Sequence, residues 1–118
     1  MRKVLITDDA AFMRTMIGDI CKQAGYVVFE AKDGKDLLKR YVEVKPDVVT
    51  LDITMPNMGG VEALKELKKI DPNARVIMCS AMGQQSLVLE AVKNGAMDFI
   101  VKPFAPERVL CALSRALA

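Results

Sequence analysis

The chain has 118 residues, 52% of them apolar and 27% charged, with a formal net charge of +2. That length suits one domain with a real core, and its interspersed charges leave neither a basic stripe for nucleic acid nor an acidic tail. Histidine is absent, which excludes serine–histidine hydrolysis, histidine general-base catalysis and His-based zinc sites from the chain's own resources.

Met1-Arg2-Lys3 leads directly into a short apolar run, Lys3 to Thr7, with no long apolar region of the kind a signal peptide carries. No run approaches membrane-spanning length, so a cytoplasmic address without membrane insertion is expected. This first strand stops at Asp8-Asp9. A stripe of Phe12, Met16, Ile17 and Ile20 follows at helical spacing and is stopped by Gly25. Tyr26–Glu30 reads as the second strand, and Leu37, Leu38, Tyr41 and Val42 as the buried stripe of a second helix ending near Lys45-Pro46. Asp47–Leu51 predicts a third strand that runs out at Asp52. Leu64 and Leu67 then mark a third helix, punctuated by Asp71-Pro72-Asn73. Arg75–Cys79 leads to Ser80, and Val88, Ala91 and Val92 mark a fourth helix ended at Gly95. Met97–Val101 reaches Lys102-Pro103, and Leu110, Leu113 and Leu117 line the last helix.

Strand-length and helix-period segments therefore alternate five times. The first, third and fourth strands are apolar on both faces, as central parallel strands are. Right-handed crossovers then predict an α/β fold, a single doubly wound five-stranded parallel sheet of order 2-1-3-4-5 with five helices. One domain fills residues 1–118, with no linker and no output domain expected. Cys21, Cys79 and Cys111, odd in number and set among apolar neighbours, are expected as small buried hydrophobes rather than disulfides.

The polar strand ends converge where open α/β sheets put their chemistry. Asp8, Asp9 and Asp52 would share one crevice, where like charges raise one another's pKa unless a cation neutralises them. Oxygen-only ligands of this kind suit Mg²⁺. Asp8-Asp9-Ala10-Ala11 also looks like a helix start, so one of the two acids can serve as a cap. Lys102 offers a compact cation, and Pro103 after it sits at a turn where a cis bond would aim the lysine inward. Ser80 adds a hydroxyl donor. Such a set meets the needs of phosphoryl transfer, and an aspartyl phosphate is its natural product.

Leu5-Ile6-Thr7-Asp8-Asp9, Leu51-Asp52-Ile53-Thr54-Met55-Pro56-Asn57-Met58-Gly59-Gly60, Cys79-Ser80-Ala81 and Phe99-Ile100-Val101-Lys102-Pro103-Phe104 resemble the receiver domain of bacterial response regulators, over essentially the whole chain. Asp8 to Arg14 and Ser80 to Gln85 are most similar to its stand-alone chemotaxis members. The strand order is already known for chemotaxis receivers and so carries no independent weight. The resemblance implies a flavodoxin-like fold, Asp52 as phosphoacceptor, and Mg²⁺ bound by Asp9, Asp52 and the backbone carbonyl of Thr54, with Asp8 assisting through water. It implies that Ser80 and Lys102 contact phosphoryl oxygens, that Ser80 and Phe99 form the switch, and that Thr54 and Met82 flank the path of attacking water, where bulky Met82 slows phosphate loss. Leu89, Lys93 and Arg108 fall on the implied partner face. The implied partners are a histidine kinase of the chemotaxis type, the flagellar motor switch and a dedicated phosphatase, and the protein is expected as a monomer that catalyses only its own phosphorylation and dephosphorylation.

Three residues depart from the family pattern. Thr7 replaces an aliphatic residue and is expected to bond its hydroxyl to backbone. Ser80 replaces the commoner threonine, and Phe99 lacks a tyrosine's hydroxyl, so any switch there rests on burial of the ring. Two other roles within the family stay open, a phosphorelay shuttle and a receiver for a non-flagellar target. A hydrolase forming an aspartyl phosphate is a more distant reading, disfavoured because such enzymes resemble Asp-x-Asp after the first strand. A flavin carrier lacks support because the first turn is acidic rather than a phosphate cradle.

Overall fold

A computed structural model describes residues 1–81 and 83–118; Met82, with its implied role beside the water path, lies outside the described residues. The described chain alternates strand and helix throughout: β1 (Lys3–Thr7), α1 (Ala11–Gln23), β2 (Val27–Ala31), α2 (Gly34–Val44), β3 (Val48–Asp52), α3 (Gly60–Ile70), β4 (Val76–Ser80), α4 (Gln85–Lys93), β5 (Asp98–Val101) and α5 (Pro106–Leu117). All strands are parallel and ordered β2-β1-β3-β4-β5, as expected. Strands β3 and β4 are buried along their whole length, because helices cover both faces of the sheet. On one face Leu5, Val49, Leu51 and Met78 pack with Leu37, Leu64, Leu67 and Ala91 of α2, α3 and α4. On the other, Val4, Ile6, Val48 and Ile77 pack with Ile17, Cys21, Val109 and Leu113 of α1 and α5.

The central strands run one residue further than apolarity alone predicts. Asp52 pairs with Cys79 and Ser80 with Val101, because the ladder is made by main-chain groups and does not stop at a polar side chain. Both polar residues therefore stand inside the sheet's last rung, not in the loops beyond it.

Several packing expectations need correction. Of the expected α1 stripe, Phe12 (69% exposed) and Met16 (46%) face outward, whereas Ile17 is buried beside Gly18 and Cys21 and Ile20 packs against the core. The side of α1 that meets the sheet carries Ile17, Gly18 and Cys21, with Gly18 facing Val28 of β2 and Ile6 of β1, and Phe12 and Met16 lie away from it. Val42 and Val92 are likewise exposed, and Leu87 packs on the core from α4. Cys111 is exposed on α5, whereas Cys21 and Cys79 are buried, with no disulfide among them. Burial pushes the Cys21 thiol up to about 11 and Cys79 to about 12, so both stay protonated and inert. Among the described residues Thr7 Oγ1 has no hydrogen-bond partner, and neither has Thr50 Oγ1, although both are buried; the expected bond from Thr7 to backbone is not formed among them. Among the described residues, no helix is long and apolar enough to cross a membrane.

One glycine fixes the loop beneath the strand ends. Gly60 donates its N–H to the Ile53 carbonyl (2.7 Å), and a Cβ there would run into the Asp52 carbonyl oxygen and lie 2.6 Å from Ile53 Cα. No side chain yields in such a contact, so main chain must move. Gly60→Ala is expected to cost about 2–3 kcal/mol in urea unfolding; an unchanged midpoint would show that the loop has slack.

Candidate functional site

Because β1 and β3 are neighbours, the residues that leave their carboxyl ends meet. Asp8, Asp9 and Asp52 each bring a carboxylate oxygen within 4.8 Å of the others. Asp8 and Asp52 are buried and Asp9 is exposed. Asp8 is tied on every side: its N–H donates to the Ala31 carbonyl (3.2 Å), Oδ1 accepts from Ala10 N–H (2.9 Å), and Oδ2 accepts from Lys102 Nζ (2.7 Å). Its carbonyl accepts from Arg14 Nη1 (2.7 Å), and Arg14 Nε in turn pairs with Glu30 of β2 (2.9 Å). Helix α1 itself starts behind Ala10 with no side-chain cap, so capping by the acid pair reduces to the single Asp8–Ala10 bond.

Lys102 stands between the carboxylates, 2.7 Å from Asp8 and 3.7 Å from Asp52 Oδ1. It follows β5 across a cis bond to the exposed Pro103. Its main-chain N–H donates to the Ser80 carbonyl (2.8 Å), which ties the ends of β4 and β5 together. Ser80 is 1% exposed at the last residue of β4. Thr54, exposed at the mouth, donates its N–H to Asp52 Oδ1 (3.4 Å).

The charges do not balance. Burial pushes the Asp52 carboxyl up to about 6; Lys102 pulls it back, and the neighbouring Asp8 and Asp9 push it further. Burial by itself would lower the Lys102 ammonium, but its hydrogen bond to Asp8 and the charge of Asp52 hold it above the usual lysine range. One cation thus faces three acids, and the acid it satisfies best is Asp8. The oxygen-only donors, their separation and the poorly compensated Asp52 fit a small hard divalent cation such as Mg²⁺. The site opens into a cleft of about 580 Å³, whose acidic floor is flanked by Phe12, Met16 and Phe104.

The remaining expected residues lie apart from this centre. Phe99 on β5 is half-buried and packs against the core on the α2–α4 side. Leu89 (60% exposed) and Lys93 point outward from α4. Arg108, at the start of α5, turns its guanidinium onto Asp98 of β5. Arg14, Glu30 and Asp98 were not foreseen as parts of the site or its surroundings; at sequence level they are charges among others, and only the fold brings them to their partners.

A buried acid whose folded pKa is raised favours the fold in its protonated form, a contribution present below its ordinary pKa and lost as pH rises through about 6. Without metal, the wild-type protein should therefore lose stability relative to Asp52→Asn between about pH 4 and pH 7, by an amount on the order of 2–3 kcal/mol. Added Mg²⁺ should restore it at neutral pH in the wild type only. Parallel pH–stability curves for the two proteins would refute this assignment of the charge imbalance.

Residues 4–114 match the sequence family described as the response regulator receiver domain. The chemotaxis protein CheY of Thermotoga maritima is 60% identical over 115 residues, covering 97% of this chain and 96% of that protein. The CheY of Listeria monocytogenes is 61% identical over 117 residues, 98% of each. Among solved structures, the CheX–CheY–BeF₃–Mg²⁺ complex from Borrelia burgdorferi superposes with a TM-score of 0.95 at 38% identity, over 99% of this chain and 90% of that one.

Proposed function

This chain belongs to the response regulator receiver family, and on that premise we propose that it is a cytoplasmic chemotaxis switch whose Asp52 takes a phosphoryl group from a phosphohistidine of a chemotaxis-type kinase. The observation that supports this most strongly is the gathering of Asp8, Asp9 and Asp52 within 4.8 Å, with Lys102 between two of them. Mg²⁺ would be held by Asp9, Asp52 and the Thr54 carbonyl, with Asp8 assisting through water. Bound there, the ion neutralises the carboxylates and the incoming phosphoryl charge.

The chain's own groups do the rest. An Asp52 carboxylate oxygen attacks phosphorus in line with the leaving imidazole nitrogen. The O–P bond forms, the P–N bond breaks, and the electron pair stays on the donor imidazole, which takes up a proton from solvent. Lys102 Nζ, already 3.7 Å from Asp52 Oδ1, shifts from Asp8 to a phosphoryl oxygen, and the Ser80 hydroxyl donates to another. Because β4 and β5 are joined by the Lys102–Ser80 main-chain bond, the two strand ends move as one. Phe99 turns with them, and the altered face around Leu89 and Lys93 binds the flagellar motor switch. Return to the resting state is hydrolysis past Thr54 and Met82. A dedicated phosphatase speeds that step, and by likeness to the Borrelia CheX–CheY–BeF₃–Mg²⁺ complex a CheX-like protein is a partner of the loaded form.

Incubation with acetyl phosphate and Mg²⁺, followed by intact mass, tests the acceptor. The wild type should gain one phosphoryl group, and Asp52→Asn should gain none while keeping its fold. Stoichiometric labelling of that variant would move the acceptor to another residue.

A further inference from the structure

Strand β5 lies at the edge of the sheet, where main-chain groups on the open side have no neighbouring strand to bond. Phe99 nevertheless has both of its main-chain groups held. Its N–H donates to Asp98 Oδ1 (2.7 Å), and its carbonyl accepts from Arg108 Nη2 (3.2 Å). Arg108 grips the same Asp98 carboxylate from both sides, Nη1 to Oδ2 at 3.1 Å and Nη2 to Oδ1 at 2.9 Å. The arrangement is a closed ring: acid, arginine, carbonyl and amide, all within two adjacent residues of β5 and one of α5. A two-pronged guanidinium makes it possible, since an ammonium has no planar fork to span a carboxylate and a carbonyl together. The pair is ionised throughout the neutral range, because the guanidinium holds the Asp98 carboxyl below its usual range.

We infer that Asp98 and Arg108 clamp the main chain of Phe99, and that Arg108 is a positioning residue tying the movement of this strand to α5. The inference rests on the reading of Phe99 as the switch residue, and it changes the part assigned to Arg108. A guanidinium committed to Asp98 and to the Phe99 carbonyl is an internal tie before it is a contact for a partner. Any displacement of the Phe99 main chain, as when the ends of β4 and β5 shift together, must either break these bonds or draw the first turn of α5 with it. A fork held at three points favours the second course. The phosphorylation signal then reaches α5 directly, in parallel with its passage to α4.

Cys111 supplies the reporter. It lies three residues beyond Arg108 on α5 and is exposed, while Cys21 and Cys79 are buried, so acrylodan added to the folded protein marks Cys111 alone. Beryllofluoride with Mg²⁺ should shift the emission of the tagged wild type. In tagged Arg108→Gln the shift should be at least about threefold smaller, while acetyl phosphate still labels Asp52 fully. Amide exchange at Phe99 in the unphosphorylated protein should also quicken by at least about threefold in Arg108→Gln. Should that variant not fold, Arg108→Lys keeps the charge but loses the fork, and the same two reductions in restraint are expected. A wild-type-sized emission shift in the folded variant, or unchanged Phe99 exchange, overturns the clamp. A wild type that is labelled at Asp52 yet silent at Cys111 also overturns it. Absence of labelling in the wild type would instead fault the phosphoacceptor reading, and the exchange measurement would still decide the clamp.

Discussion

Among the described residues Lys102 is the one ammonium set among three carboxylates, and its shortest bond is to Asp8, the acid not proposed to react. Asp52 is left buried, crowded by like charge and only partly compensated, so its carboxyl is pushed up to about 6. A protein selected for stability alone would have no use for this arrangement, since removing such an acid relieves the fold. Its use lies in what it attracts. An under-neutralised cluster of oxygens at the mouth of a sheet favours a divalent cation, and in the function proposed for this chain the same carboxylate, with that cation beside it, is the nucleophile. The imbalance also leaves Lys102 bonded to Asp8 and 3.7 Å from Asp52 Oδ1, within reach of the oxyanion we propose for Asp52.

How that imbalance is maintained follows from the sheet. The three central strands carry apolar side chains on both faces, so α1 and α5 on one side and α2, α3 and α4 on the other hold them rigidly. Asp52 and Ser80 are the last residues of two such strands, and their main chain is fixed by ladder bonds that their polar side chains do not disturb. Arg14 and Glu30 fix the Asp8 carbonyl from α1 and β2. The edge strand β5 lacks a second neighbour, and its open side is held instead by Asp98 and Arg108. Rigid support thus surrounds the acids, while the element that carries Lys102 and Phe99 is fastened by side chains, which can exchange partners.

Much of this was legible in the chain because parallel strands and their punctuation leave strong local marks. Val48-Val49-Thr50-Leu51 has no polar face to expose, and Gly25 and Gly95 do take the positive φ expected of helix ends. Asp8, Asp9, Asp52, Ser80 and Lys102 were readable as a site because strand order alone brings them together. What failed was the facing of helices. Phe12, Met16, Ile17 and Ile20 read as one apolar stripe, but docking turns α1 so that Ile17 and Cys21 are buried while Phe12 and Met16 stay exposed. Ties over long sequence separations were also invisible. Arg108 and Asp98 look like two solvated charges until α5 is docked on β5, and nothing in the chain marks Thr7 and Thr50 as hydroxyls that are buried without partners among the described residues.

The central claim is that Lys102 is held by Asp8 only until Asp52 carries an oxyanion. A crystal structure of the protein loaded with Mg²⁺ and beryllofluoride tests it most directly. We expect Lys102 Nζ within hydrogen-bond distance of a fluorine on the Asp52 adduct, with its 2.7 Å bond to Asp8 lengthened or broken. An adduct on Asp52 with Lys102 still bonded to Asp8 and out of reach of the fluorines would contradict the account.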